Sequence, residues 1–123
     1  MLKEKKRWRL CRDLKKGKFC FLIGVDNWSI ELQKSEFNSL YFLLLKINKQ
    51  LSIIKDELMD EEFITLELEQ LPWYIELEGK KNEWSLRFVF ESKDQTRSFE
   101  MYWPIPIAQN LFFEIKKMWE SMD

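Results

Sequence analysis

Residues 32–59 read LQKSEFNSLYFLLLKINKQLSIIKDELM, without a proline or a glycine. Large apolar side chains recur in this stretch at steps of three and four residues, the spacing that places side chains on one face of an α-helix. They are Phe37, Leu40, Tyr41, Leu44, Ile47, Leu51, Ile54 and Leu58. The pattern predicts one long amphipathic helix packed on a sheet, with the rest of the chain arranged around it.

Both ends of this helix are predicted from capping and charge. Gln33 stands at the cap position and Glu36 stands three residues later, where a capping box places its acid. Ser35 is an alternative cap, because serine caps a helix better than glutamine does. An acidic run begins at Asp56 and is unfavourable at the negative end of the helix dipole. Regular helix is therefore expected to end near Lys55 or Asp56.

Three short segments before the helix alternate between apolar and polar residues, as half-buried strands do. They cover residues 7–12, 18–23 and 28–32. If the first two pair with their apolar sides on one face, Cys11 falls opposite Cys20 on the other face. This register would allow a disulfide, although reduced thiols are expected inside a cell.

Four further alternating segments follow the helix and predict an antiparallel meander with one apolar face. Turns of four residues between the last three strands would pair Leu77 with Trp84 and Phe88 with Phe99. The large aromatic residues of this meander are expected in the core, not on an open platform for stacking bases. The four segments cover residues 64–69, 73–78, 84–91 and 98–103. The aromatic residues are Trp73, Trp84, Phe88, Phe99 and Trp103.

Pro104 and Pro106 end the last strand, and the apolar spacing from Ile107 to Met122 predicts a second, shorter helix. The predicted order is three strands, a long helix, four strands and a C-terminal helix. It resembles an imperfect duplication of a strands-then-helix unit. The fold class is therefore α+β with two antiparallel sheets, not a parallel βαβ fold. A chain of 123 residues forms a single domain, residues 1–123.

Composition excludes several kinds of chemistry. The chain has two cysteines and no histidine, whereas zinc sites and most catalytic triads depend on these residues. The sequence therefore predicts no enzyme, no cofactor and no metal. No apolar signal segment follows the basic N-terminus, and the longest apolar run, residues 40–45, is too short to span a membrane. A cytoplasmic protein without a membrane partner is expected.

Charge is unevenly distributed along the chain, although the formal net charge is −1. Residues 1–19 carry nine Lys and Arg side chains and two acids, whereas residues 56–79 carry nine acids and no base. A segregated basic segment is typical of a nucleic-acid-binding arm. It is equally consistent with two patches that neutralise each other, within one chain or between chains.

Several short motifs carry a family resemblance. Trp8-Arg9-Leu10 comes first, followed by Trp28-Ser29-Ile30-Glu31-Leu32 and by Glu57-Leu58-Met59-Asp60-Glu61-Glu62. Glu69, Trp73, Glu78-Gly79, Arg97, Glu100 and Trp103-Pro104 complete the set. With these motifs the chain resembles a family of small cyanobacterial and plastid proteins of unknown function. Gln33 departs from the threonine cap that the family pattern favours.

That family is similar in structure to the single-stranded-DNA-binding transcriptional regulators of the Whirly type. The resemblance implies two roughly perpendicular sheets built from a duplicated unit. Lys16-Gly17-Lys18 resembles the start of the Whirly DNA-contacting motif, although bulky residues follow where small apolar ones are expected. The likeness concerns fold, and function does not follow from fold.

The leading functional hypothesis is binding of single-stranded DNA or RNA through a basic hairpin near the N-terminus. Its side chains would neutralise phosphate groups along the first hairpin. The alternative for these residues is a solvated edge and a frayed tail. The candidate residues are Arg7, Arg9, Arg12, Lys15, Lys16 and Lys18.

The alternative hypothesis is a protein-interaction or assembly factor that uses the polar face of the second sheet. Glu67, Glu76 and Glu100 lie on that face and would repel phosphate. A homodimer through the sheet edges is a further option. The acidic residues Asp56, Asp60, Glu61 and Glu62 lack the glycine and alternating spacing of a calcium loop. A solvated turn, or one that caps backbone amides and pairs with Arg97, is therefore expected.

Overall fold

The computed structural model describes residues 1–121, which form eight β-strands and two α-helices. Each half of this part of the chain is a four-stranded antiparallel sheet, in sequence order, followed by one helix. The α+β class with two antiparallel sheets is therefore confirmed. The elements are β1 (Leu2–Glu4), β2 (Trp8–Arg12), β3 (Phe21–Val25), β4 (Trp28–Leu32), α1 (Lys34–Ile54), β5 (Ile64–Gln70), β6 (Trp73–Lys80), β7 (Glu83–Glu91), β8 (Ser98–Trp103) and α2 (Ile107–Glu120).

The first sheet has four strands, so the prediction of three was wrong. The additional strand, β1, pairs antiparallel with β2 and places Lys3 opposite Leu10. The Lys3 ammonium lies 3.0 Å from the carboxylate of Glu114 on α2. A strand of three residues is too short to show alternation, and a contact with the distant helix α2 holds it in place.

Strand β3 begins at Phe21, later than predicted, because Asp13 caps a short 3-10 turn that follows β2. Cys11 therefore pairs with Leu22, while the backbone amide of Asp13 donates to the carbonyl oxygen of Cys20 at 2.8 Å. The predicted placement of Cys11 opposite Cys20 was wrong, and both are free thiols.

The second sheet pairs its last three strands two residues away from the predicted register. Leu77 lies opposite Leu86, and Phe88 lies opposite Met101. Strand β6 continues up to a hairpin loop of two residues, 81–82, instead of the predicted four. Because the displacement is an even number of residues, the same side chains still face the core.

Helix α1 begins at Lys34 and ends at Ile54, close to both predicted ends. The backbone amide of Gln33 donates to Oε1 of Glu36 at 2.8 Å, so Gln33, not Ser35, occupies the cap position. The predicted apolar face is buried over most of the helix. Its buried residues include Phe37, Leu40, Tyr41, Leu44, Ile47 and Leu51.

One apolar core joins both sheets and both helices. Phe21 on β3 and Phe37 on α1 stack with ring centres 4.1 Å apart. The aromatic residues predicted for the core of the second sheet are buried, except for Phe99, which is half-buried. These rings pack against other side chains and offer no open platform for stacked bases.

Helix α2 buries the apolar face that its spacing predicts. Ile107, Leu111, Ile115 and Met118 are all buried. Met122, which the prediction also assigned to this helix, lies outside the described residues. Within residues 1–121, no helix is long and apolar enough to cross a membrane.

Arg97, in the β7–β8 loop, ties the two halves of the chain together. Its Nη1 atom lies 2.8 and 3.1 Å from the carboxylate oxygens of Glu36 at the start of α1. Its Nη2 atom donates to the carbonyl oxygen of Glu31 on β4 at 2.8 Å. The guanidinium also lies 4.6 Å from the ring centre of Phe19. Only 9% of the Glu36 side chain is exposed.

Pairing of the acidic run after α1 with Arg97, one of the two alternatives predicted for it, was therefore wrong, although Glu62 caps the backbone amide of Met59 at 3.2 Å. The run pairs instead with lysines at the β6–β7 hairpin. The Lys80 ammonium lies 2.7 Å from Glu61, and the Lys81 ammonium lies 3.0 Å from Asp60. The lysines are nearer in space because the run leads into β5 and the hairpin follows β6, and Ile64 at the start of β5 pairs with Gly79 near the end of β6.

Candidate functional site

The basic hairpin, here residues 7–18, contains the side chains predicted to bind nucleic acid. Arg7 lies at one end of it and forms an ion pair with Asp26, with Nε and Nη2 at 2.9 and 3.0 Å from the two carboxylate oxygens. The hydrogen bond from Arg7 lowers the pKa of Asp26 below its usual value. Much of the positive charge of Arg7 is thus matched within the chain.

Arg9 and Arg12 are half-buried and donate to backbone carbonyl groups. The Arg9 guanidinium lies across Gly24, where an added Cβ would come within 2.3 Å of Nη2. Its Nη2 atom donates to the carbonyl oxygen of Trp28 at 2.8 Å. Nη1 of Arg12 is 3.5 Å from the carbonyl oxygen of Met118 near the end of α2. Both side chains therefore serve the packing of the first sheet.

The three lysines lie at the other end of the hairpin. Lys16 pairs with Glu31 at 2.7 Å, whereas Lys15 and Lys18 have no carboxylate within 4.0 Å among residues 1–121. Strand β2 separates these lysines from Arg7 by about 16 Å, from its five residues at ~3.3 Å each. The structure therefore does not bring the six predicted residues into one patch.

The second candidate surface is the outer face of the second sheet, called the acidic face below. Glu67 lies directly opposite Glu76, and Glu76 lies opposite Arg87. Nη1 of Arg87 is 3.1 Å from Glu100, and Nη2 is 3.8 Å from Glu76. The structure thus brings Glu76 and Glu100 to one guanidinium and places Glu67 beside Glu76. Other residues of this face include Glu69, Tyr74, Glu78, Val89 and Tyr102.

Burial and neighbouring carboxylates shift the pKa values of two groups on this face. Burial raises the pKa of Tyr74 to about 12, and the hydrogen bond that Tyr74 donates to Glu76 contributes to the rise. A side-chain hydrogen bond with Glu76 raises the pKa of Glu78 above its usual value. The negative charge of neighbouring carboxylates is thus only partly balanced by Arg87.

The structure also shows a groove that the sequence analysis missed. This groove, called the N-terminal groove below, lies between the β1–β2 turn and the start of α2 and has a volume of about 440 Å³. Its lining includes three basic side chains and the carboxylate of Glu114, which is paired with Lys3 and Lys117, and is otherwise mainly apolar. In the sequence, the available signals were the Lys5-Lys6 doublet and the aromatic residue Phe113. The structure shows that the side chain of Phe113 is exposed. The lining residues used below are Lys5, Lys6, Arg7, Trp8, Ile107 and Phe113.

Fold and surfaces together define a two-sheet α+β protein with separate basic and acidic surfaces. Residues 3–118 match the model of the domain of unknown function DUF1818, and the chain belongs to this family. The chain is also similar to a crystal structure of a protein of unknown function from Prochlorococcus sp. NATL2A, described as from the DUF155 family. That match has a TM-score of 0.90 and 36% identity and covers 97% of this chain and 98% of the other. No curated protein matches the chain.

Proposed function

We propose that this protein is a non-enzymatic binding protein whose acidic face docks a positively charged protein surface. The observation that carries the proposal is the direct cross-strand pairing of Glu67 with Glu76. Like charges placed opposite each other destabilise a sheet by about 0.2–1 kcal/mol. A cationic partner would relieve this repulsion on binding, because it would supply the counter-charges that Arg87 alone does not.

Apolar side chains on the same face support docking of a protein. The rings of Tyr74 and Tyr102 and the side chain of Val89 lie among the carboxylates, and 52% of Tyr102 is exposed. Tyrosine is enriched at protein interfaces because it offers contact area together with a polar group. The face therefore combines charge, which selects a partner, with apolar area, which stabilises the complex.

A charge-neutralising variant tests this proposal. Glu67→Gln, Glu76→Gln and Glu100→Gln together keep side-chain size while removing three charges from the face. The tagged protein is incubated with nuclease-treated lysate at low salt, and the retained complex is measured by mass spectrometry and size-exclusion chromatography. We expect the triple variant to retain at least about tenfold less partner, equivalent to roughly 1.4 kcal/mol.

The matched control removes three exposed charges elsewhere, with Glu4→Gln, Glu31→Gln and Glu120→Gln. It should retain the partner as the unmodified protein does. The proposal fails if no complex survives nuclease treatment, or if the triple variant and the control retain equal amounts.

Binding of single-stranded nucleic acid is a second candidate, supported by two lysines of one groove. Lys18 and Lys93 line a polar groove of about 300 Å³ beside the start of α1. The chain repeats a unit of four strands and a helix. A duplicated unit is what the Whirly resemblance implies, and that resemblance would make single-stranded DNA or RNA the ligand. This candidate uses Lys15, Lys18 and Lys93 more than the ion-paired Arg7 and Lys16.

Fluorescence anisotropy of labelled single-stranded DNA and RNA, measured over a range of salt, tests the second candidate. Reversal of Lys18 and Lys93 to Glu should abolish saturable binding, because both lysine contacts to phosphate are lost. Each phosphate contact contributes about 0.7 to the salt slope for single strands. The control reverses Lys49 and Lys116, which are exposed on α1 and α2 and do not line this groove. A flat titration of the unmodified protein at low salt would eliminate this candidate.

A further inference from the structure

The N-terminal groove has features that call for an occupant with both apolar and acidic groups. Lys5 and Lys6 are exposed at its rim and have no carboxylate within 4.0 Å among the described residues. Trp8 and Ile107 form part of the apolar wall, and the ring of Phe113 is 58% exposed. A volume of about 440 Å³ lies within the ordinary range of ligand sites, roughly 300–1,000 Å³.

The chain itself carries a segment with the complementary chemistry. Residues 56–63, called the acidic segment, read DELMDEEF and link the end of α1 to β5. Met59 is 77% exposed and Phe63 is 66% exposed, so two large apolar side chains project from among five acids. Asp60 and Glu61 pair with lysines of the β6–β7 hairpin but keep 85% and 84% of their side chains exposed.

We infer that the N-terminal groove binds the acidic segment of a second copy of this chain. Met59 and Phe63 would enter the apolar part of the groove, while the neighbouring carboxylates meet Lys5 and Lys6 at the rim. Charge complementarity carries this choice of occupant. Within one copy the segment is held at the β6–β7 hairpin and does not line the groove.

The two surfaces are different, so the contact joins a groove on one copy to a segment on another. A reciprocal pair of such contacts gives a dimer, and a one-way contact gives a ring or an open chain. In either geometry, each copy contributes one groove and one segment. The association should weaken as salt is added, because its charges are exposed.

Complementation between two variants tests the inference. The groove variant carries Lys5→Glu and Lys6→Glu, and the segment variant carries Met59→Ser and Phe63→Ser. Sedimentation velocity from about 10 to 500 µM, a range suited to a weak interface, should show association of the unmodified protein. Each variant alone should associate at least tenfold more weakly by this inference, roughly a 1.4 kcal/mol change. An equimolar mixture should form a 1:1 pair, since one intact groove meets one intact segment.

Two controls separate the proposed contact from general effects of charge and apolarity. Lys34→Glu with Lys49→Glu matches the charge change of the groove variant. Ile53→Ser with Leu71→Ser matches the segment variant, since these side chains are 69% and 73% exposed. Both controls should associate as the unmodified protein does, and circular dichroism checks that every variant is folded.

Three outcomes would overturn the inference. The unmodified protein would be monomeric over the whole concentration range, or the folded segment variant would associate normally, or the mixture would fail to form a pair. Decanoate serves as a probe for a small amphiphilic ligand. If it shifts the NMR resonances of Phe113 and the protein alone remains monomeric, the groove is a small-molecule site and the inference is wrong. The acidic-face variant should leave self-association unchanged, which distinguishes this surface from the one proposed above.

Discussion

Removing the guanidinium of Arg97 should cost this protein a substantial part of its stability. The substitution Arg97→Met keeps the apolar stem beside Phe19 but leaves the carboxylate of Glu36, 9% exposed, without its counter-ion. Breaking a fully buried ion pair from one side costs about 3–5 kcal/mol. The Arg97 side chain is 27% exposed, so water reaches part of the pair and reduces the cost. We expect a loss of roughly 2–3 kcal/mol in the free energy of unfolding.

Urea unfolding followed by tryptophan fluorescence measures this loss, and calorimetry measures the accompanying fall in Tm. With an unfolding entropy of about 2.1 cal/mol/K per residue, 1 kcal/mol corresponds to ~4 °C for a chain of this length. The expected fall in Tm is therefore about 8–12 °C. Arg7→Met is the matched control, because the Arg7–Asp26 pair has similar distances but side chains that are 49% and 42% exposed. It should cost much less than Arg97→Met, because water screens an exposed ion pair.

A double variant separates the buried charge from simple loss of contacts. Glu36→Gln combined with Arg97→Met removes both charges, so no unpaired carboxylate remains buried. The double variant should be more stable than the sum of the two single losses predicts, by about 1–3 kcal/mol. The reasoning is refuted if Arg97→Met costs no more than Arg7→Met, or if the two single losses add.

Three further predictions concern backbone strain and titration. Gly79→Ala should destabilise the protein by roughly 2 kcal/mol or more in urea unfolding. Gly79 has a φ of 144°, and an added Cβ would lie 2.3 Å from a backbone oxygen. Gly17→Ala should cost less, because a Cβ added there would have no atom within 4 Å. Hydrogen bonds from Thr96 and Ser92 lower the pKa of Asp94 to about 2. The stabilisation by this carboxylate is therefore complete above its unfolded pKa of about 3.9 and is lost as the pH falls towards 2. In stability measurements at several pH values, the Asp94→Asn variant should not show this loss. Ultraviolet titration should place the pKa of Tyr74 at about 12. The stability linked to the neutral form of Tyr74 is complete below about pH 10 and is lost as the pH rises through 12. Glu76→Gln should lower this pKa without returning it to 10.

Local periodicity was sufficient to predict much of this fold. Helical spacing predicted α1, while the Gln33–Glu36 cap and the acidic run predicted its two ends, because all three are properties of consecutive residues. Alternation predicted which side chains of β6, β7 and β8 face the core. These predictions held although the register was wrong by two residues, since an even displacement preserves the buried face. The composition of the acidic face could likewise be predicted, because Glu67, Glu76 and Glu100 alternate with core residues.

Long-range contacts could not be predicted in this way. Strand β1 depends on pairing with β2 and on the ion pair between Lys3 and Glu114 on α2, and no periodicity within three residues indicates either. The β6–β7 hairpin length depends on whether Gly79 continues the strand or begins the turn, and its residue type permits both.

The charged surfaces show most clearly that long-range contacts could not be predicted from the sequence. Sequence alone counted the basic residues of the first hairpin correctly but treated them as one patch. Tertiary structure paired Arg7 with Asp26 and Lys16 with Glu31, turned Arg9 and Arg12 towards backbone carbonyl groups, and left only part of the charge free. The physical reason is that secondary structure follows from neighbours along the chain. The electrostatics of a surface depends instead on distances of a few ångströms between residues that folding brings together.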